Sequence, residues 1–180
     1  VNEDRSIELL TNEAKTLANA YDETWLTNMR AKIGLKTNEN GDAALIQKLL
    51  DAMQEGGADF TLTFRKLSDA IRGDSTPARQ QFKNPELFNL WENNWRLRLE
   101  QEPIPNENRA VEMDKINPIY IPRNHKVEEA LSNAVDHGNL SVFEDMLSVI
   151  SAPFEEVKGN ERFAEPGPKT SVPYQTFCGT

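Results

Sequence analysis

Hydrophobic side chains recur at steps of three and four along much of the chain, which is the spacing of one face of an α-helix. Near the start, eight apolar positions keep to this spacing: Ile7, Leu10, Ala14, Leu17, Tyr21, Trp25, Met29 and Ile33. The pattern predicts one long helix over residues 4–33 with a single buried face, ended by Gly34. A helix of this length leaves open a bend between Asn19 and Asp22.

Six shorter helices follow in the prediction. They start at Asp42, Asp59, Asn84, residue 107, Asn124 and Ser141. Most of these positions carry side chains that cap helix N-termini, and Ser141 with Glu144 forms a capping box. The expected core faces include Phe60, Phe64, Trp91, Trp95, Leu131, Val135, Phe143 and Leu147. The predicted fold class is therefore all-α, an irregular bundle of about six to seven helices joined by short polar turns.

One segment interrupts the helical pattern, NPIYIPRNHKVEEAL at residues 117–131. Pro118 and Pro122 disfavour helical backbone at the residues before them, so residues 117–123 are predicted to be extended. The next helix then begins abruptly. Three polar residues stand at this change of backbone and are candidate functional residues: Arg123, Asn124 and His125. For His125, packing at the surface or in the core is the alternative interpretation.

The apolar stripes disappear after Pro153, and the last residues are rich in proline and glycine. We therefore divide the chain into a helical domain at residues 1–158 and an extended tail at residues 159–180. The tail carries Cys178, the only cysteine, third from the end. A buried apolar role and an exposed redox-active thiol are both consistent with this position.

Composition narrows the classes of function. The 180 residues carry a net charge of -9, with 38% hydrophobic residues. This charge argues against a nucleic-acid or anionic membrane surface, both of which attract clustered cations. No apolar run approaches the roughly 20 residues of a membrane span. One cysteine provides no internal disulfide, so we expect a cytoplasmic protein. Because the sequence begins with Val, we also treat it as a segment of a longer protein.

No motif for a metal or a nucleotide stands out. His125 and His137 are separated by roughly 18 Å along a continuous helix, too far to share one ion. Asp59-Phe60-Thr61 departs from the metal-binding Asp-Phe-Gly motif at its third residue, and Asp59 is better explained as a helix cap. Trp91 and Trp95 continue an apolar stripe, which favours core packing over nucleic-acid binding. The sequence therefore predicts no metal site and no cofactor within these residues.

Five segments, in this order, carry a resemblance to a known family: MRAKIGL, ADFTLTFRKLSDA, LWENNWRLRL, NPIYIPRNHKVEEAL and YQTFCGT. Together they resemble the C-terminal region of the selenoprotein O family over essentially the whole chain. The resemblance implies a parent protein with a kinase-like fold, of a kind long taken for a pseudokinase. Such a parent binds ATP with Mg²⁺ and transfers AMP to Ser, Thr or Tyr of protein substrates.

The same resemblance assigns the nucleotide-binding and metal-binding residues to the N-terminal, kinase-like part of the parent, outside this sequence. No catalytic residue is therefore carried over. Cys178 matches the family's C-terminal selenocysteine or cysteine, which implies a redox role and pairing with a thiol of the kinase-like part. Gly179 and Thr180 replace the two serines that frequently end the family's chains. Arg123, Asn124 and His125 could face the active-site half and help hold the protein substrate or order the catalytic loops; packing between helical layers is the alternative interpretation for all three.

Other functions remain open at this stage. The chain could be a stand-alone acidic helical module whose apolar stripes bind a partner protein. A weaker alternative is a thiol enzyme that uses Cys178 with His125 or His137. If the stripes are exposed in the isolated chain, an artificial homodimer through them is also expected.

Overall fold

The computed structural model describes residues 3–168, with side chains from residue 5 onward. Within that range the chain is helical and contains no strand, which confirms the all-α prediction. The helices are α1 (Glu3–Lys32), α2 (Asp42–Gly56), α3 (Phe60–Arg72), α4 (Thr76–Arg79), α5 (Pro85–Leu99), α6 (Asn106–Ile116), α7 (Asn124–His137) and α8 (Ser141–Ser151), followed by a 3₁₀ turn (Glu161–Phe163). α1 runs without a break. No helix in this range is both long and apolar enough to cross a membrane.

Local capping explains where several helices begin and end. The Asp59 carboxylate accepts a hydrogen bond from the Leu62 amide at 2.8 Å, and the Asn84 side chain accepts one from the Glu86 amide. Both caps confirm the prediction. α2 and α3 end at Gly57 and Gly73, whose left-handed backbone lets their amides bond back to the last turn.

Three predicted caps are wrong. Asp42, Asn124 and Ser141 are each the first residue of a helix rather than the residue before it. The Ser141 capping box does not form, and the cap position there is Leu140. Asp42 misses the cap because its carboxylate lies in the interior, where Arg98 and Arg30 donate to it at 2.7 and 2.8 Å.

Most of the buried apolar residues form one group, which we call the first cluster. Its members come from the end of α1, from α2 to α6 and from the turns that hold Ile33, Leu35 and Phe82; the largest include Trp95, Phe64 and Phe88. The Trp91 and Trp95 rings stack with their centroids 5.0 Å apart. Their indole N–H groups donate to the carbonyls of Leu45 and Ile33, so burial leaves neither donor unpaired.

The first cluster also holds a buried ionic group. Glu102 accepts hydrogen bonds from the Lys36 and Thr37 amides and an ion pair from Arg98 at 2.8 Å. Burial alone would raise the pKa of Glu102, but these donors outweigh it and hold the pKa below the usual value. The group joins the turn after α1 to α5, and nothing in the sequence pattern pointed to it.

The two halves of α1 differ. From Trp25 onward the helix packs on the first cluster, whereas the earlier apolar positions are exposed: Ile7 (57%), Leu10 (71%), Leu17 (72%) and Tyr21 (67%). The prediction of a single buried face is therefore wrong for the first half. The reason is geometric, because 30 residues extend about 45 Å and the helix outruns the elements that pack on it.

A smaller group, the second cluster, lies between α7, α8 and the segments beside them. It contains Ile119, Tyr120, Ala130, Met146, Val149 and Phe163. The predicted inner faces of α7 and α8 are partly wrong, since Leu131, Val135, Phe143 and Leu147 are 45–81% exposed. These helices pack mainly on each other and are covered on one side, so an apolar band wider than the covered face leaves residues in water. Phe60, at 50% exposure, is a similar error on α3.

Candidate functional site

Residues 117–123 form the connection between the two clusters, and they lie outside any helix, as predicted. Asn117 fixes the first end of this connection. It is fully buried; its side-chain amide donates to the Lys32 carbonyl at 2.8 Å, and its Oδ1 accepts from Lys32 Nζ at 3.2 Å. Arg65 on α3 donates to its carbonyl at 3.2 Å. Asn117 therefore ties α1 and α3 to the end of α6.

The middle of the connection is bound to the chain that follows α8. The Ile119 amide donates to the Pro153 carbonyl at 2.7 Å, and the Tyr120 hydroxyl accepts from the Val157 amide at 3.1 Å. A cavity of about 540 Å³ lies beside these contacts, lined mainly by α3, Ile119, Tyr120 and residues 156–164. The connection thus has fixed partners along its length, although its backbone is irregular.

Arg123 ends the connection and lies in the interior, with 9% of its surface exposed. Its two terminal nitrogens donate to the two oxygens of Asp59, at 2.8 and 3.0 Å. Burial alone would raise the pKa of Asp59, but Arg123 and the Leu62 and Thr61 amides hold the pKa below its usual value. One carboxylate therefore caps α3 and, at the same time, fixes the start of α7.

The three predicted residues at this point come together around one groove. Ile121–His125 line an open groove of about 380 Å³, and Gly167 and Pro168 complete it. Asn124 is exposed and His125 is half-buried, whereas the guanidinium of Arg123 is occupied by Asp59. Of the three, Asn124 and His125 are therefore the residues that remain available to a ligand.

The environment of His125 favours the neutral imidazole. Burial and the nearby charges of Lys126 and Arg123 lower its pKa, and the carboxylates of Glu129 and Glu165 oppose them only in part. A neutral histidine can accept or donate a hydrogen bond. At neutral pH the groove therefore offers a polar ring and an amide rather than a cluster of charges.

Two other residues considered in the sequence, Cys178 and Asp59, are not among the described residues that line this groove. Cys178 lies outside the described residues, so its proximity to either histidine stays a prediction. Asp59 caps α3 and binds Arg123, and no group of three or more metal-binding side chains occurs within residues 3–168. Sequence reasoning missed both the Asp59–Arg123 pair and the role of Gly167. For Gly167 the only signal was the Pro-Gly-Pro sequence, which was assigned to a tail.

Comparisons with known proteins place the chain in a family. The family model described as "Protein adenylyltransferase SelO" matches residues 5–151. A "Protein nucleotidyltransferase YdiU" of Rhizobium johnstonii is 43% identical over 168 residues, which cover 92% of this chain and 34% of the relative. Proteins with the same name are 40% identical in Rhizobium meliloti and 42% identical in Agrobacterium fabrum; each match covers 98% of this chain and 36% of the relative. The chain spans about a third of the length of these relatives. It belongs to the SelO family of protein adenylyltransferases.

Proposed function

We propose that this chain is the helical C-terminal part of an enzyme that transfers AMP from ATP to Ser, Thr or Tyr of other proteins. The observation that carries the proposal is the family match over residues 5–151, together with relatives named as protein nucleotidyltransferases. The rest of such an enzyme, with a kinase-like fold, binds ATP and Mg²⁺. The nucleotide-binding and metal-binding residues of such an enzyme belong to that other part, so no step of the transfer is assigned to residues of this chain.

The chain's first role is to support that larger part. The apolar positions in the first half of α1, including Leu10 and Leu17, are 57–72% exposed and repeat at helical spacing. A stripe of this kind is normally covered by another protein surface. Because the relatives are about three times as long as the match, the surface that covers it belongs to the remainder of the same polypeptide.

Its second role is regulatory. The groove at Ile121–His125 faces the protein substrate, where Asn124 and His125 supply polar contacts. Cys178, in the last residues, is the redox-active thiol that pairs with a thiol of the kinase-like part. A reversible, redox-sensing pair of this kind is typical of the reducing cytoplasm, where we place the enzyme.

The test compares this chain with a full-length SelO-family polypeptide that contains it. Each is incubated with Mg-ATP and a test protein, and AMP addition is measured by mass spectrometry. We expect transfer by the full-length protein only. Transfer by this chain alone would contradict the assignment of the nucleotide site to the other part.

A pair of charge variants tests the supporting role. Leu10→Glu with Leu17→Glu places two carboxylates on the α1 stripe of the full-length protein, and AMP transfer is expected to fall strongly. Asn12→Glu with Asn19→Glu adds the same charge to the opposite side of α1, where both residues are exposed, and should leave transfer unchanged. An equal loss of AMP transfer in the two pairs of variants would contradict a supporting role of the α1 stripe.

A stand-alone interaction module is the second candidate function, and the exposed stripe on α1 is the observation that favours it. In that case a partner protein, rather than the same polypeptide, covers the stripe. The two stripe substitutions then abolish binding of that partner to the 180-residue chain, whereas Asn12→Glu with Asn19→Glu does not.

A further inference from the structure

The chain crosses back over the start of α7 after the 3₁₀ turn. That turn is anchored by Phe163, which is 2% exposed, and by Arg162, which donates to Glu129 on α7 at 3.1 Å and to Asp145 on α8 at 3.2 Å. Residues 165–168, with the sequence Glu-Pro-Gly-Pro, then pass the corner where α3 and α7 meet. We call these four residues the strap.

Gly167 is the point at which the strap approaches α7. A Cβ placed on Gly167 would lie 2.9 Å from Nδ1 of His125, too close without movement of the ring or the strap. The backbone of Gly167 lies outside the left-handed region. A side chain at this position is therefore limited by the space beside the His125 ring, and not by the backbone conformation.

The strap separates two openings. On one side is the groove at Ile121–His125, which Gly167 and Pro168 complete. On the other is an opening of about 450 Å³, lined by Gly57–Asp59, Gln80, Gln81, Pro166 and Gly167. Two prolines restrict the strap's backbone, which reduces the entropy lost when it lies across the corner. The position of the strap thus decides how much of His125 is accessible.

The charges around His125 disfavour a proton on it while the strap is in place. Arg123 and Lys126 are the nearby cations, paired with Asp59 and Glu129, and Glu129 also binds Arg162 of the 3₁₀ turn. Glu165 on the strap is the remaining carboxylate that acts on the ring. Burial and the two cations prevail, so the pKa of His125 lies below its usual 6.5. As the pH falls from 6.5 downward, protonation of His125 therefore opposes the position in which the strap covers the ring.

We propose that the strap is a gate over the groove at Ile121–His125 and that the contact between Gly167 and His125 holds this gate closed. When the strap lifts, Asn124 and His125 become fully accessible. When it lies down, the groove is narrowed and the imidazole stays neutral. This gate operates in the 180-residue chain and does not depend on the proposed AMP transfer.

The first test measures hydrogen–deuterium exchange in the 180-residue chain carrying Gly167→Ala. The added methyl group clashes with His125, so the amides of Ile121, of residues 123–127 and of Glu165 and residue 167 should exchange roughly tenfold faster. His125→Ala removes the ring from the same contact and should speed the exchange of these amides in the same way. Gly56→Ala is the matched control: its Cβ would lie 2.8 Å from Phe82 in the first cluster, so exchange near His125 should not change.

The second test follows the imidazole of His125 by nuclear magnetic resonance. Its pKa should lie below 6.5 in the parent chain and move up towards that value in Gly167→Ala, because burial is the largest cause of the lowered pKa and its relief outweighs the loss of the Glu165 carboxylate, the smallest cause. An unchanged pKa of His125 in Gly167→Ala would contradict the proposal that this contact holds the gate closed. So would unchanged exchange in either Gly167→Ala or His125→Ala.

Discussion

The two clusters differ in how much of their core comes from helices. The first is built almost entirely from helices, whereas half of the second comes from segments outside α7 and α8. Among the described residues the first contains twenty buried apolar residues, all but Ile33, Leu35 and Phe82 from six helices, and its indole donors bond within it. The second contains six, and three of them, Ile119, Tyr120 and Phe163, come from the connection and the 3₁₀ turn rather than from α7 or α8. We expect apolar burial to supply most of the stability of the first cluster, beside its buried ionic group. We expect polar contacts along the connection to hold the second cluster in place.

The largest expected effect comes from emptying the first cluster. Phe88 is fully buried, and its ring centroid lies 5.5 Å from that of Phe82 and 5.9 Å from that of Trp91. Phe88→Ala leaves a cavity and should lower the free energy of unfolding by about 4 kcal/mol. Denaturant unfolding, followed by tryptophan fluorescence, measures this loss. Leu90→Ala, at an exposed position of the same helix, is the control and should cost far less.

Breaking the ion pair between the clusters should separate their unfolding. Arg123→Met leaves Asp59 without its partner and should cost about 2 kcal/mol, since hydrogen bonds to charged groups are lost. The three tryptophans all belong to or pack on the first cluster, while circular dichroism reports every helix. In Arg123→Met the dichroism transition should therefore precede the fluorescence transition. Coincident transitions in the variant would show that the pair does not hold the second cluster.

Acid should act on the same pair. The pKa of Asp59 is lowered in the folded chain, so its contribution to stability is present above the ordinary value of 3.8. The contribution is lost as the pH falls from there through the lowered pKa. Asp59→Asn removes it, and the stability difference between parent and variant should shrink as the solution is acidified through this range. A difference that stays constant down to pH values below the folded pKa would contradict the assignment.

The smallest effect is expected on the first half of α1. Leu10→Gln and Leu17→Gln change exposed side chains, so each should alter the free energy of unfolding of this chain by less than about 0.5 kcal/mol. Met29→Gln, on the same stripe but 5% exposed, is the matched control and should destabilise the chain clearly. Thermal unfolding of the three variants makes the comparison. Similar losses for all three would mean that the stripe is buried along its whole length.

Features that depend on neighbouring residues could be predicted from the sequence, whereas contacts between distant segments could not. Caps at Asp59 and Asn84 act within three residues, and the stripe through Trp91 and Trp95 acts within one helix, so local patterns reveal them. The Arg123–Asp59 pair joins residues 64 positions apart, and no local pattern names such a partner. Leu131 and Val135 fit a helical stripe, yet whether a stripe is covered depends on its neighbours. The side chain of Asp42 was predicted to cap α2, but it binds Arg98 in the interior, and no local pattern names that partner either.

Native-state hydrogen exchange, amide by amide, tests most directly whether the two clusters are distinct. We predict that amides in α7 and α8 open with a lower free energy than those in α2, α3 and α5, and that Arg123→Met lowers the former without changing the latter. One common opening free energy across both clusters, in the parent chain and in the variant, would contradict the account.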